Sequence, residues 1–157
     1  VLSANACFVA GAGMVSVAVP QNIHQIVASK TADEIIVKSL ETIDVSTEKV
    51  DVVAIGCGLN NDAETHQFIR QAVINRQTSM ILDAEALNTL APFDLQGSDE
   101  FPLVLTPHLG EFKRLLGREI GEDKIAEVRA FAEKHNVILV LKGERSLIAK
   151  PDGTVVI

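Results

Sequence analysis

A chain of 157 residues is long enough for one domain with a real core and short for two. Hydrophobic residues at 47% and charged residues at 22% give a globular balance that argues against disorder, and the absence of Trp and Tyr leaves a core of Val, Ile, Leu, Ala and six Phe. A formal charge of −7 argues against a broad nucleic-acid footprint but leaves room for a phosphorylated small molecule, which needs only backbone amides and a few local cations.

Two cysteines, Cys7 and Cys57, are too few for a disulfide framework and fit a reducing compartment. No apolar run approaches the ~20 residues of a spanning helix, and the start VLSANACFVAGAG lacks a basic leader. The expectation is a cytoplasmic protein without membrane or nucleic-acid partners.

Short β-branched runs alternate with helical stretches. Helical character is expected over Leu2–Ala12, Asp62–Asn75 and Gly121–His135, and strands at Val15–Val19, Val50–Ile55, Ser79–Asp83, Leu103–Thr106 and Val137–Lys142. Several strands are apolar on both faces, as parallel strands between helix layers must be. Asn61 followed by Glu64 resembles a capping box for the second helix. Ile125, Val128 and Ala132 mark the apolar face of the third, leaving Glu127, Arg129 and Glu133 for water. At the end, SLIA, a Lys150-Pro-Asp-Gly turn and TVVI read as an edge hairpin. The fold class is α/β, a mostly parallel sheet with helices on both faces, in one domain spanning 1–157. The chain opens in a helix-like stretch and stops in a strand, so a piece of a longer domain is expected.

In open parallel α/β sheets, ligands sit beyond the carboxyl ends of the strands, and four such ends carry unusual residues. At Ile55-Gly-Cys-Gly-Leu-Asn-Asn-Asp62, Gly56 and Gly58 permit a tight turn and close backbone approach to a ligand; a generic strand-to-helix turn would use them equally. Cys57 reads as a buried small thiol rather than a nucleophile. At Ile81-Leu-Asp-Ala-Glu-Ala-Leu-Asn88, Asp83 stands at the ligand edge, where a carboxylate accepts from hydroxyls or holds a metal-bound water, or else caps the next helix.

At Leu105-Thr-Pro-His-Leu-Gly-Glu-Phe112, Pro107 extends Thr106 and pre-sets a helical turn. His108 and Glu111 then share one face of a helix start whose amides suit a phosphate. The plainer alternative makes Glu111 a cap and His108 a solvated turn residue. At Val140-Leu-Lys-Gly-Glu-Arg-Ser146, Lys142, Arg145 and Ser146 are suitable phosphate donors around a Gly143 turn, or a hairpin turn with a snorkelling lysine.

The ordered set GCGLNND, ILDAEALN, LTPHLGEFKRLLG and VILVLKGERSLIAKPDG resembles the NAD(P)H-hydrate dehydratases of the YjeF C-terminal type, whose fold is the three-layer α/β/α ribokinase-like one. The family pattern runs approximately GPGLG, DAD-x-LN, TPH-x-GE and LKG-x-x-T. Here Cys57 replaces a Pro, Asn60 a Gly, Glu85 an Asp and Ser146 a Thr. The resemblance implies repair of hydrated NADH or NADPH: ADP, or ATP in some relatives, phosphorylates the ring hydroxyl, and phosphate is then eliminated. It also implies that Gly58, His108 and Asp83 contact the hydrate and that Lys142, Gly143, Glu144, Arg145 and Ser146 cradle the nucleotide. Glu111 would organise Mg2+ indirectly. The family's base aspartate is expected beyond Ile157. Relatives of this fold often associate, so a homo-oligomer is possible. A kinase for a small alcohol and a non-catalytic nucleotide-binding module are the alternatives.

Overall fold

The structure is a computed structural model that describes residues 1–42 and 49–157. The chain divides into two compact units, Val1–Glu48 and Lys49–Ile157.

In the first unit, helix α1 (Leu2–Val9) precedes strand β1 (Ser16–Val19), and helix α2 (His24–Ala28) precedes strand β2 (Ile36–Ser39). The two strands pair in parallel, with Ser16 opposite Ile36 and Val19 opposite Ser39. Ala4, Val15 and Ile35 form a small buried cluster, with Phe8, Ala12, Val17 and Ala32 packed on it. Helix α1 stops at Val9, three residues short of the expected Ala12, before a Gly11 at φ 103° that a right-handed helix does not accommodate.

The second unit holds a six-stranded sheet in the order β3 (Val52–Ile55), β4 (Ser79–Leu82), β5 (Leu103–Leu105), β6 (Ile138–Leu141), β7 (Leu147–Ala149) and β8 (Val155–Val156). The first four strands are parallel, and β7 and β8 join antiparallel. The terminal hairpin is therefore present as expected from its Pro-Asp-Gly turn. Between the strands lie α3 (Ala63–Ile74), α4 (Glu85–Thr89), α5 (Leu109–Leu116) and α6 (Lys124–His135).

One sheet face, carrying Met80, Leu82, Leu103, Leu105, Leu139 and Leu141, joins a single core with Ile69 and Val73 of α3, Leu87 of α4, Phe112 and Leu115 of α5, and Val128 and Phe131 of α6. This burial is the main force ordering the unit, at about 25 cal/mol per Å² of apolar surface removed from water. Ile125 departs from expectation: it is exposed, and Phe131 and His135 complete the buried stripe of α6 instead.

Two helix starts also differ from the sequence reading. The cap of α3 is Asp62 rather than Asn61. Asp62 is extended, and its Oδ1 accepts from the Thr65 amide at 2.8 Å. Helix α5 begins at Leu109, so Pro107 precedes the cap and lies outside the first helical turn.

Candidate functional site

Sheet register brings the four sequence motifs to one edge. The Asp83 amide donates to Ile55 O at 3.2 Å and the Thr106 amide to Leu82 O at 3.0 Å. A further parallel bridge pairs His108 with Lys142, whose amide donates to Pro107 O at 2.8 Å. The carboxyl ends of β3, β4, β5 and β6 are thus held in a row.

Gly56, with φ at 120°, is the tightest point in that row. A Cβ there would stand 1.8 Å from Asp83 O and 2.9 Å from the Ala86 amide, so no other residue fits without moving the β4 turn. Gly58 (φ 78°) needs glycine for its backbone angle, yet a Cβ there would meet nothing within 4 Å. The turn carries the Cys57 thiol outward. Cys57 is exposed rather than buried, with Sγ 3.8 Å from Asp83 Oδ2.

Asp83 does not cap α4. Its Oδ1 accepts from the Lys142 ammonium at 2.7 Å and from the Ala84 amide at 2.8 Å. Burial works against the charged carboxylate, but Lys142, the Ala84 amide and the Thr106 hydroxyl outweigh it and hold the Asp83 pKa below the ordinary carboxylate value. Ala84 takes φ 49° and ψ −118°, a sparsely populated backbone region for a residue with a side chain, immediately beside this pair.

His108 caps α5. Its Nδ1 accepts from the Gly110 amide at 3.0 Å and the Glu111 amide at 3.3 Å, while Glu111 Oε2 accepts from the His108 amide at 2.8 Å. The two residues do share a face, as a reciprocal capping box. The expectation of free amides for a phosphate is corrected here: the Gly110 and Glu111 N–H groups already have acceptors. Glu111 is buried, with one oxygen committed to the cap. Among the described residues, no group of three His, Cys, Asp or Glu could hold a metal ion.

Lys142 opens the five-residue connection between β6 and β7, in which Gly143, Glu144, Arg145 and Ser146 are exposed. A phosphate would meet there one ammonium, one guanidinium and one hydroxyl on a loop pinned by the Leu141–Leu147 pair.

Four further side chains join behind this edge. His66 on α3 meets Glu85 Oε1 at 3.0 Å, Asn88 donates to Glu85 Oε2 at 3.1 Å, and Arg114 on α5 donates to Asn88 Oδ1 at 3.0 Å. The reading of the sequence missed His66, Asn88 and Arg114. Glu85 and Asn88, three apart just after a strand end, carried a local signal; His66 and Arg114 carried none, being brought in by packing.

A family model described as NAD(P)H-hydrate dehydratase matches residues 1–157. The bifunctional NAD(P)H-hydrate repair enzyme Nnr of Moorella thermoacetica is 40% identical over 99% of this chain, and that of Thermosynechococcus vestitus 37% over 97%; the chain spans 32% of the length of each. Among solved structures, the ADP/ATP-dependent NAD(P)H-hydrate dehydratase of Bacillus subtilis, co-crystallised with ATP/Mg2+ and soaked with CoA, superposes with a TM-score of 0.80 at 26% identity, covering 98% of this chain and 57% of that one. A ribokinase-like superfamily protein of Enterococcus faecalis V583 gives 0.82 at 27% identity, over 95% and 54%. The fold is ribokinase-like, and with every motif of the edge in family order the chain belongs to the NAD(P)H-hydrate dehydratase family.

Proposed function

We propose that the protein containing this chain repairs hydrated NADH and NADPH. ADP, or ATP in its place, gives a phosphoryl group to the hydroxyl on the damaged ring, and the phosphate then leaves. With ADP the products are the reduced cofactor, AMP and phosphate. Phosphate departs far more readily than hydroxide, and phosphoryl transfer needs positioning and neutralisation of charge more than covalent help.

The observation that carries this reading is the His108–Lys142 bridge, because the residue assigned to the hydrate and the residue assigned to the nucleotide pair there, just past the ends of β5 and β6. In this assignment Gly58, His108 and Asp83 face the hydrate. Lys142, Gly143, Glu144, Arg145 and Ser146 hold the nucleotide phosphates. The carboxylate that deprotonates the hydroxyl is assigned to a residue outside Val1–Ile157.

Mg2+ typically keeps several waters and is held by phosphates with one or two carboxylates, so it needs no protein cage. Glu111 fits an indirect role of this kind: Oε2 is held by the His108 amide, and Oε1 lies 3.6 Å from His108 Nε2, beyond hydrogen-bond reach. The ion would supply neutralisation of phosphate charge. The single family model across residues 1–157 supports reading both units as parts of one domain. A cytoplasmic setting and self-association complete the proposal. No helix among the described residues is long and apolar enough to cross a membrane.

Full-length protein supplied with hydrated NADH and ADP is expected to restore the near-ultraviolet absorbance of reduced nicotinamide. Failure with ADP and ATP alike would sink the reading, and a stable phosphorylated alcohol as product would favour a kinase.

A further inference from the structure

The two ring nitrogens of His108 are in different situations. Nδ1 accepts two backbone hydrogen bonds, from Gly110 at 3.0 Å and Glu111 at 3.3 Å. A nitrogen that accepts carries no proton, so the neutral ring holds its proton on Nε2. Two neighbours enforce this arrangement. A Cβ at Gly110 would stand 2.9 Å from Cε1 and 3.2 Å from Nδ1 of His108, so glycine is what lets the ring fold back onto the helix end. Glu111 fastens the His108 amide through Oε2 at 2.8 Å from a nearly fully buried position.

The Nε2 proton has no acceptor of its own among the described residues. The nearest carboxylate oxygen, Glu111 Oε1, is 3.6 Å away, outside hydrogen-bond distance. The His108 side chain is 55% exposed, and its backbone bridges to Lys142 on the ligand edge of the sheet. The polar edge that remains accessible is therefore an N–H.

We propose that His108 Nε2–H is a fixed hydrogen-bond donor for an oxygen of the bound ligand, and that the helix cap at Nδ1 is the device that fixes this tautomer. The inference rests on the assignment of His108 to the ligand side of the site, and it goes further by stating which atom binds and which chemical group it recognises. The acceptor is either an oxygen of the hydrated nicotinamide, its hydroxyl or its carboxamide, or a phosphoryl oxygen of the nucleotide. A ligand presenting only a donor there finds no partner. The cap and the ligand contact are separable, because they use different atoms of one ring.

The first test needs no activity. Nitrogen NMR of the imidazole in the full-length, ligand-free protein is expected to show the His108 proton on Nε2; a proton on Nδ1, or rapid averaging between the two, overturns the proposal. The second uses His108→Asn and His108→Gln. Asparagine offers a cap oxygen near the place of Nδ1 but nothing at Nε2, so His108→Asn should keep the thermal midpoint while ligand affinity falls about tenfold, the loss of one hydrogen bond. Glutamine reaches toward Nε2 but caps poorly, so His108→Gln should lose stability and retain more of the affinity. A tenfold rise confined to the KM for the hydrate identifies the nicotinamide oxygen, and one confined to the Kd for ADP identifies a phosphoryl oxygen. Wild-type values of both in His108→Asn overturn the proposal. If the wild-type protein shows no repair activity, the functional reading fails, and the NMR result together with ADP affinity still judges the donor.

Discussion

Asp83 and Lys142 lie 59 residues apart in the chain and meet at 2.7 Å across the ends of β4 and β6. Both side chains are partly exposed, and ion pairs in such surroundings contribute about 0–1 kcal/mol to stability. The consequence of the pair is thus positional. It holds an ammonium at the ligand edge, where an incoming phosphate competes with the carboxylate, and it holds the carboxylate beside the strained Ala84.

Acid should loosen this arrangement in a defined direction. Asp83 has a pKa below its ordinary value, so its contribution to stability is present above the usual carboxylate range. That contribution disappears as pH falls from the unfolded-state value of about 3.9 through the lowered folded value. Thermal unfolding followed from neutral pH downward is expected to show a shallower acid-side loss in Asp83→Asn than in the native protein. Identical acid limbs in the two proteins would mean that the pair is not maintained in solution.

The two glycines of the first turn should behave differently when replaced by alanine. Gly56→Ala adds a methyl 1.8 Å from Asp83 O at a φ of 120°, so the clash is with backbone that cannot step aside. Its cost should exceed the ~1–3 kcal/mol of an unfavourable backbone angle alone, and Asp83 should be displaced from Lys142. Gly58→Ala meets open space and bears only the angle cost of about 1–2 kcal/mol. Denaturant midpoints order the two variants, and equal losses would contradict the close approach at Gly56.

Much of this site was legible because each strand end is punctuated. Gly56 and Asp83 directly follow apolar runs, Pro107 and Gly143 follow them after Thr106 and Lys142, and the parallel sheet places such ends together. What was not legible depended on choices that local chemistry does not make. Asn61 and Asp62 are adjacent and both good caps, and only the phase of α3 selects Asp62. Strand β2, Ile36–Ser39, was not among the expected strands: it is short and mixed in character, and its partner is supplied only by pairing with β1. Cys57 was expected inside because small thiols usually are, but the positive φ values at Gly56 and Gly58 turn it out. His108 needed the structure for a different reason: its residue type suggested a ligand contact, while only the cap reveals which nitrogen is already in use.

The chain of contacts from His66 through Glu85 and Asn88 to Arg114 ties α3, α4 and α5 together behind the Ala84 turn. Glu85→Ala removes the acceptor for both His66 and Asn88, so a loss of about 1–3 kcal/mol is expected from two hydrogen bonds of ordinary worth. Because Arg114 is linked to Glu85 only through Asn88, Glu85→Ala and Arg114→Ala should not be additive. A deficit of roughly 0.5 kcal/mol or more in the double variant, measured by denaturant unfolding, is the expected coupling. Strict additivity would show that the contacts act separately.

Lys142→Ala is the most direct test of the nucleotide assignment. The variant removes the only lysine at the ligand-side end of β6 while leaving the Gly143–Ser146 turn and the Leu141–Leu147 pair that supports it. If Lys142 exchanges Asp83 for a phosphate, the measured loss is the phosphate contact minus what Asp83 had already supplied. A charged hydrogen bond of this kind is worth about 1–3 kcal/mol, so ADP affinity measured by calorimetry on the full-length protein should fall between roughly fivefold and 150-fold. Asp83→Asn sharpens the same test from the other side. It frees the ammonium of its competitor, so ADP affinity should hold or rise while the affinity for the hydrate, which Asp83 is assigned to face, falls. Lys142→Ala with unchanged ADP affinity would reduce the lysine to a surface partner of Asp83 and move the nucleotide elsewhere on the edge.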